Sequence, residues 1–337
     1  MPTTLRDIAR RAAVSPSTVS RVLRDYPHVS EETRRAVWQA VTELGYPASR
    51  VRKESSVRTV LALLRSKESD SATNGMGGYL NGELERSIVL GAQSVLEPRD
   101  ITVRVQRVSM EECDGHSFLT DHPPSAVLVI GGVVNRQLLH RLRCMGIPVV
   151  VAGAHVWPMH IDSVKADYLD GMAQAIAHLI DRGRRRIALV NGPDTTTSSG
   201  EKYRGYRLAL AMAGLPYAPE LVTESDFDQE QAYRVTGELL DRVSDVDAIA
   251  FADDYMAMAG MRAIRDRGRR IPGDVAVVGY YNYQISLFTE PPLTTVDFGL
   301  ERMGAVAGHR LWMLLNGADP EPWCVTLPTR LVVRETT

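Results

Sequence analysis

At 337 residues, with 44% hydrophobic and 24% charged side chains, the chain has the composition of an ordinary globular protein; two or three compact units are expected, and a disordered or fibrous architecture is excluded. Cys113, Cys144 and Cys324 are odd in number and far apart, so no disulfide framework or zinc site is expected. The net charge of -2 is uneven: up to Arg58 there are 11 Lys+Arg against 6 Asp+Glu, leaving 28 against 35 for the remainder, a basic head on an acidic body.

Residues 1–46 read as three short helices. Leu5, Ile8, Ala9 and Ala12 fall at i, i+3, i+4 and i+7 and form one apolar stripe. The second helix opens at Ser15, a good N-cap, followed by Pro16 at the first helical position, where its missing N–H costs nothing. Val19, Val22 and Leu23 make its inner face, and Ser17, Arg21 and Arg24 its outer one. The third helix starts after Ser30, with Glu31 and Glu32 in its first turn, carries Val37, Ala40, Val41 and Leu44 inward, and closes at Gly45. A short helix packed by valines, with hydroxyls and guanidinium groups outward, suits a major groove; the same spacing also describes a plain amphipathic helix. The Ala12-Ala13-Val14-Ser15 turn, the basic head and the capped third helix favour a helix-turn-helix.

Residues 47–59, "PASRVRKESSVRT", are polar, basic and without periodicity, and read as a linker or as a segment that orders only on binding. From residue 60 onward, buried-type runs such as "VLALL", "AVLVIGG", "IPVVVAG", "RIALVNG", "AIAFADD" and "VAVVGYY" alternate with helix-length amphipathic segments. This is the pattern of parallel sheets covered by helices, and its length implies two lobes. The expected division is a first lobe of about 60–160 and 293–322, and a second of about 161–292 and 323–337. "SKESDSATNGMGGYL" is polar and glycine-rich and reads as a mobile loop over the cleft between them or as plain disorder, the loop being favoured. No G-x-S-x-G, P-loop or G-x-G-x-x-G occurs, and His155, His160 and His178 show no metal spacing, so neither an enzyme nor a cofactor is expected. "MPTTLRDIARR" has no apolar leader and no later run is long enough to span a bilayer, which predicts a cytoplasmic protein without membrane contact.

The segment "TLRDIARRAAVSPSTVSRVLRDYPHVSEETRRAVWQAVTELGY" closely resembles the DNA-binding headpiece of the LacI/GalR transcriptional repressors. "HLIDRGRRRIALVNGP", "GYRLALAMAGL", "FADDYMAMAGMRAIRDRG", "IPGDVAVVGY", "EPPLTTV" and "LPTRLVVRET" resemble their ligand-binding core, in order and across nearly the whole chain. The resemblance implies an all-α helix-turn-helix headpiece joined to a two-lobed, periplasmic-binding-protein-like α/β core. Thr4, Leu5, Ser15, Thr18, Ser20 and Arg24 would contact DNA, chiefly phosphates, with Arg21 supporting the same surface. Pro16 and Ser17 occupy the base-reading slots, and His28 a further contact position. Since Pro16 offers no side-chain hydrogen bond, operator choice must lean on Ser17, Arg21 or DNA shape.

Several positions depart from the family pattern. Ala13 replaces the glycine usual in the turn, at a cost of roughly 1 kcal/mol if the backbone there has positive φ. In the linker Arg50 and Val51 match the family hinge, but Ser55 stands where a leucine usually wedges into the minor groove, which puts wedge-driven bending in doubt. In the core, the effector-binding positions map to Lys202, Asp253 and Tyr281, where relatives more often have arginine, asparagine and aspartate, with Asp167 and Asn282 nearby and Trp157 as a stacking face. A sugar, another metabolite and a degenerated pocket without a ligand all remain open. The resemblance thus implies a homodimeric repressor on a pseudo-palindromic double-stranded operator, its activity modulated by a small-molecule effector that closes the core. An effector-independent regulator and a solute-binding protein are the alternatives.

Overall fold

The computed structural model describes residues 4–23, 29–44, 58–65, 82–108, 123–131, 134–318 and 321–337. The three N-terminal helices are α1 (Leu5–Arg11), α2 (Pro16–Leu23) and α3 (Glu31–Glu43). Ile8, Ala9, Val19, Val22, Leu23, Val37, Ala40 and Val41 form their shared core, so every predicted stripe points inward. Thr4 starts α1: its backbone N–H and its hydroxyl both donate to the Asp7 carboxylate, at 2.9 and 2.6 Å, and these bonds hold the Asp7 pKa below the ordinary value. Arg11 pairs with Glu43 and ties α1 to α3. The turn into α2 passes through Ala13 at φ 54°, a left-handed conformation that a Cβ disfavours.

The remainder forms two six-stranded sheets. In chain order the elements are β1 (Arg58–Arg65), α4 (Gly82–Leu96), β2 (Ile101–Val108), β3 (Ala126–Ile130), α5 (Arg136–Cys144), β4 (Val149–Ala152), β5 (Asp162–Ala166), α6 (Tyr168–Asp181), β6 (Ile187–Asn191), α7 (Thr197–Met212), β7 (Val222–Glu224), α8 (Gln229–Arg242), β8 (Ala248–Phe251), α9 (Asp254–Asp266), β9 (Ala276–Tyr280), β10 (Thr294–Asp297), α10 (Leu300–Leu315), β11 (Cys324–Leu327) and β12 (Arg330–Val332). The first sheet has the order β11-β5-β4-β3-β1-β2 and is parallel throughout. The second, β12-β10-β9-β8-β6-β7, is parallel except for β12, which runs antiparallel along the edge of β10.

The lobes divide at places other than those expected. β5 and β11, assigned from sequence to the second lobe, pair with each other in the first sheet, and β10, assigned to the first lobe, lies in the second. The chain therefore crosses between lobes after β5, after β10 and after β11. Apolar strands look alike whichever sheet they join, so a linear pattern places such crossings only to within one element. α10 returns to the first lobe and packs on α4 closely enough that a Cβ at Gly304 would lie 1.9 Å from the Ile88 carbonyl oxygen. Arg310 on the same helix donates to Asp162 of β5 at 2.5 Å, an ion pair shut off from solvent.

The parallel order sets the function of the core. In such sheets the carboxyl ends of the strands gather at one edge, where ligands are taken. Ala252-Asp253 after β8 and Tyr281-Asn282 after β9 stand at this edge of the second sheet. Gly153, after β4, stands at the corresponding edge of the first.

Candidate nucleic-acid interface and effector cleft

On α2 the inner residues Val19, Val22 and Leu23 are 0%, 1% and 8% exposed, while Ser15, Pro16, Ser17 and Arg21 are exposed on the opposite side. Ser15 caps the helix by accepting the Thr18 backbone N–H at 3.0 Å. Its hydroxyl also meets those of Ser17 at 2.7 Å and Thr18 at 2.8 Å, giving a fixed cluster of three hydroxyls beside the helix start. Thr18 and Ser20 are half-buried at its margin, Thr4 is exposed at the start of α1 and Leu5 is half-buried behind it. A surface of small hydroxyls, helix N-terminal N–H groups and one guanidinium can donate to phosphates and reach base edges. Arg24, His28, Arg50, Val51 and Ser55 lie outside the described residues, as does the segment read as a loop over the cleft.

The second constellation is built on Lys202, in the second turn of α7. Its side chain is fully buried, and Nζ donates to the Ala252 carbonyl at 2.7 Å and to the Tyr281 hydroxyl at 3.2 Å. Three rings surround it, with Nζ 4.2 Å from the Tyr280 ring centre, 4.3 Å from Tyr281 and 5.5 Å from Tyr168. The negative faces of these rings replace part of the lost hydration of the ammonium. Burial still dominates and draws the Lys202 pKa down to about 7, with the carboxylates of Asp253 and Asp254 working the other way.

Asp253 is the N-cap of α9, accepting the Met256 N–H at 2.7 Å. Asp254, fully buried behind it, accepts from the Thr295 hydroxyl at 2.5 Å and the Tyr283 N–H at 2.6 Å; burial raises its pKa well above the ordinary value and these two donors oppose the rise. Its role is to fix the turn that carries Tyr281. Tyr281 at φ 96° and Asn282 at φ 53° are consecutive left-handed non-glycine residues, each costing of order 1–3 kcal/mol. Asp254 holds one end of the turn. Arg334 holds the other, donating to the Asn282 side-chain oxygen at 2.6 Å and to the Leu293 carbonyl at 2.6 Å. The Tyr281 ring is stacked on Tyr283 at 5.1 Å and 8°.

The structure thus brings Lys202, Asp253 and Tyr281 together as expected. Asp167 is nearby but committed to capping α6 through the Asp170 N–H at 3.1 Å, and the Asn282 amide oxygen is committed to Arg334. Trp157 lies apart from this cluster. It sits 81% exposed between β4 and β5, its carbonyl accepting from Arg136 at 2.9 Å, and its ring stacks on none of the residues around Lys202. Sequence reasoning missed Tyr168, Tyr280, Tyr283 and Glu201. Tyr280 and Tyr283 flank a chosen position, but the cage is composed of side chains from α6, α7 and the end of β9, and spacing within one segment does not reveal it. Among the described residues no group of three or more His, Cys, Asp or Glu could hold a metal.

Residues 4–49 match the model of bacterial regulatory proteins of the lacI family, and residues 176–337 that of a periplasmic binding protein-like domain. The chain is 34% identical to the HTH-type transcriptional regulator CelR of Thermobifida fusca over 98% of its own length and 97% of the relative's. It is 27% identical to the catabolite control protein A of Priestia megaterium, covering all of both chains. Among solved structures it is similar to a transcriptional regulator CelR–cellobiose complex, with 33% identity, a TM-score of 0.75 and coverage of 99% of this chain and 100% of the other. It is also similar to the lac repressor dimer bound to operator and the anti-inducer ONPF, with 26% identity, a TM-score of 0.71 and coverage of 100% and 99%. The chain belongs to the LacI family of transcriptional regulators, DNA-binding proteins with a helix-turn-helix headpiece and an effector-binding core, and is not an enzyme.

Proposed function

We propose that this regulator is a cytoplasmic homodimeric repressor whose α2 helices enter successive major grooves of a pseudo-palindromic operator, and whose interlobe cleft takes a small-molecule effector. The observation that carries the DNA reading is α2 itself: three valine and leucine side chains hold it on α1 and α3, leaving Ser15, Ser17 and Arg21 outward on one face. Thr4, Leu5, Thr18, Ser20, Arg24, His28, Arg50 and Val51 complete the proposed contact surface, and the phosphate contacts set register while Ser17 and Arg21 choose sequence. A dimer suits this surface because one headpiece offers few base contacts, and linking two raises effective concentration. The likeness to the operator-bound lac repressor dimer supports the same assembly. Among the described residues no helix is long and apolar enough to cross a membrane, in keeping with a cytoplasmic site of action.

For the cleft, Asp253, Tyr281 and Lys202 are the proposed effector-facing residues, and the similarity to a cellobiose-bound regulator makes cellobiose the first probe. Coupling is reciprocal, so operator DNA changes effector affinity by the factor by which effector changes operator affinity. The test is footprinting of the region upstream of this gene by the full chain, with and without cellobiose. A protected sequence with two-fold symmetry supports the reading, and uniform protection without preference removes it. A second reading, an effector-independent regulator, is favoured by the complete burial of Lys202.

A further inference from the structure

Among the described residues, hydrogen bonds and an ion pair join the lobes directly, beside the crossing strands. Glu83, in the first turn of α4 in the first lobe, reaches the second lobe with both carboxylate oxygens: Oε2 accepts from the Tyr255 hydroxyl at 3.0 Å and Oε1 from the Gln284 N–H at 2.8 Å. Glu201, on α7 of the second lobe, pairs with Lys165 on β5 of the first, with both side chains largely withdrawn from water. The Tyr168 hydroxyl donates to the Gly153 carbonyl at the end of β4 at 3.2 Å. Glu201 and Lys202 are adjacent in the chain, so one turn of α7 grips the first lobe with one side chain while the next is sunk in the tyrosine cage of the second.

We propose that the cleft of this regulator is shut by the chain itself: Glu83 from the first lobe and Glu201 from the second clasp the two together, and the Lys202 side chain fills the polar anchor of the second lobe, so that closure needs no effector and opening is the regulated step. The proposal rests on the reading that the two lobes form the regulatory cleft. Two features support it. Polar groups between the lobes are bonded to protein, the Ala252 carbonyl and Tyr281 hydroxyl to Lys202 and both Glu83 oxygens to Tyr255 and Gln284, while Glu201 Oε2 alone of the clasp oxygens is buried without a protein partner among the described residues. The Lys165–Glu201 pair is largely buried, at 11% and 18% side-chain exposure, where removing one partner leaves the other desolvated and unpaired.

The test is single-molecule energy transfer in the full chain, with dyes at Arg143→Cys on α5 and Glu238→Cys on α8, native cysteines replaced by serine, and the labelled chain diluted into an excess of unlabelled chain. Without any ligand, one short-distance population is expected, with less than about a tenth of molecules open. In Glu83→Ala/Glu201→Ala the open population becomes the majority, and exchanging the charges, Lys165→Glu with Glu201→Lys, returns most molecules to the closed state. A ligand-free parent that is mostly open, or a double variant that folds and matches the parent, overturns the proposal. Should the double variant lose its circular dichroism, the distance distribution of the ligand-free parent alone decides. Gel shifts on the same samples report separately on the regulator: a closed core that ignores operator DNA contradicts the proposed function and leaves the clasps standing.

Discussion

Lys202 and Tyr281 meet twice: the ammonium donates to the phenol oxygen at 3.2 Å, and the same Nζ lies 4.3 Å from the ring centre of that tyrosine. A lysine held this way, away from water, loses its proton more readily than a solvated one. Its pKa falls from 10.5 to about 7 on folding because burial outweighs the two nearby carboxylates. Between about pH 7 and 10.5 the unfolded chain therefore binds the proton more readily than the folded one, so stability rises with pH across that window and the contribution is flat below it. The expected result is a thermal midpoint that climbs by at least about 2 °C from pH 7 to 9 in the parent. In Lys202→Met the climb is smaller by that amount. Equal slopes for both proteins would show that Lys202 stays charged in the fold.

Ala13 offers a simpler test. At φ 54° its Cβ is strained, and glycine at this position removes the strain. Ala13→Gly is expected to stabilise the headpiece by roughly 0.5–1 kcal/mol, read as slower hydrogen exchange of the α1 and α2 amides. Faster exchange would mean that the alanine side chain contributes packing that outweighs its conformational cost.

The Tyr281 turn depends on space left at Gly279. A Cβ there would lie 2.1 Å from the Asp254 carboxylate and 2.8 Å from Leu293, so Gly279→Ala must push Asp254 off Tyr283 and Thr295. A loss of about 1–3 kcal/mol in urea unfolding is expected, together with altered tyrosine near-UV dichroism as Tyr281 leaves its stack on Tyr283. Unchanged stability would show that the turn does not rely on the carboxylate.

The headpiece was legible because its information is local. Stripe, cap and turn each lie within a few residues, and Ser15, Pro16 and the valines of α2 stand where periodicity places them. The order of strands was not. Asp162 and Ser163 of β5 read as polar from the sequence, yet both are buried because Arg310 and His155 meet them from elsewhere in the chain. Likewise the resemblance placed Lys202 at the cleft but gave no hint that it would be caged, since Tyr168 and Tyr280 approach from other elements.

The part of this regulator that reads DNA is α2. Arg21 is exposed there and lies outside the apolar core of the headpiece. The decisive measurement is a gel shift of genomic fragments by the full chain at low ionic strength, comparing the parent with Arg21→Ala at equal dimer content and matched circular dichroism. The expected result is preferential retention of fragments sharing a two-fold symmetric sequence, weakened steeply by added salt, and lost at least tenfold in the variant, a change of about 1.4 kcal/mol. Retention of the same fragments with equal affinity by both proteins would contradict it.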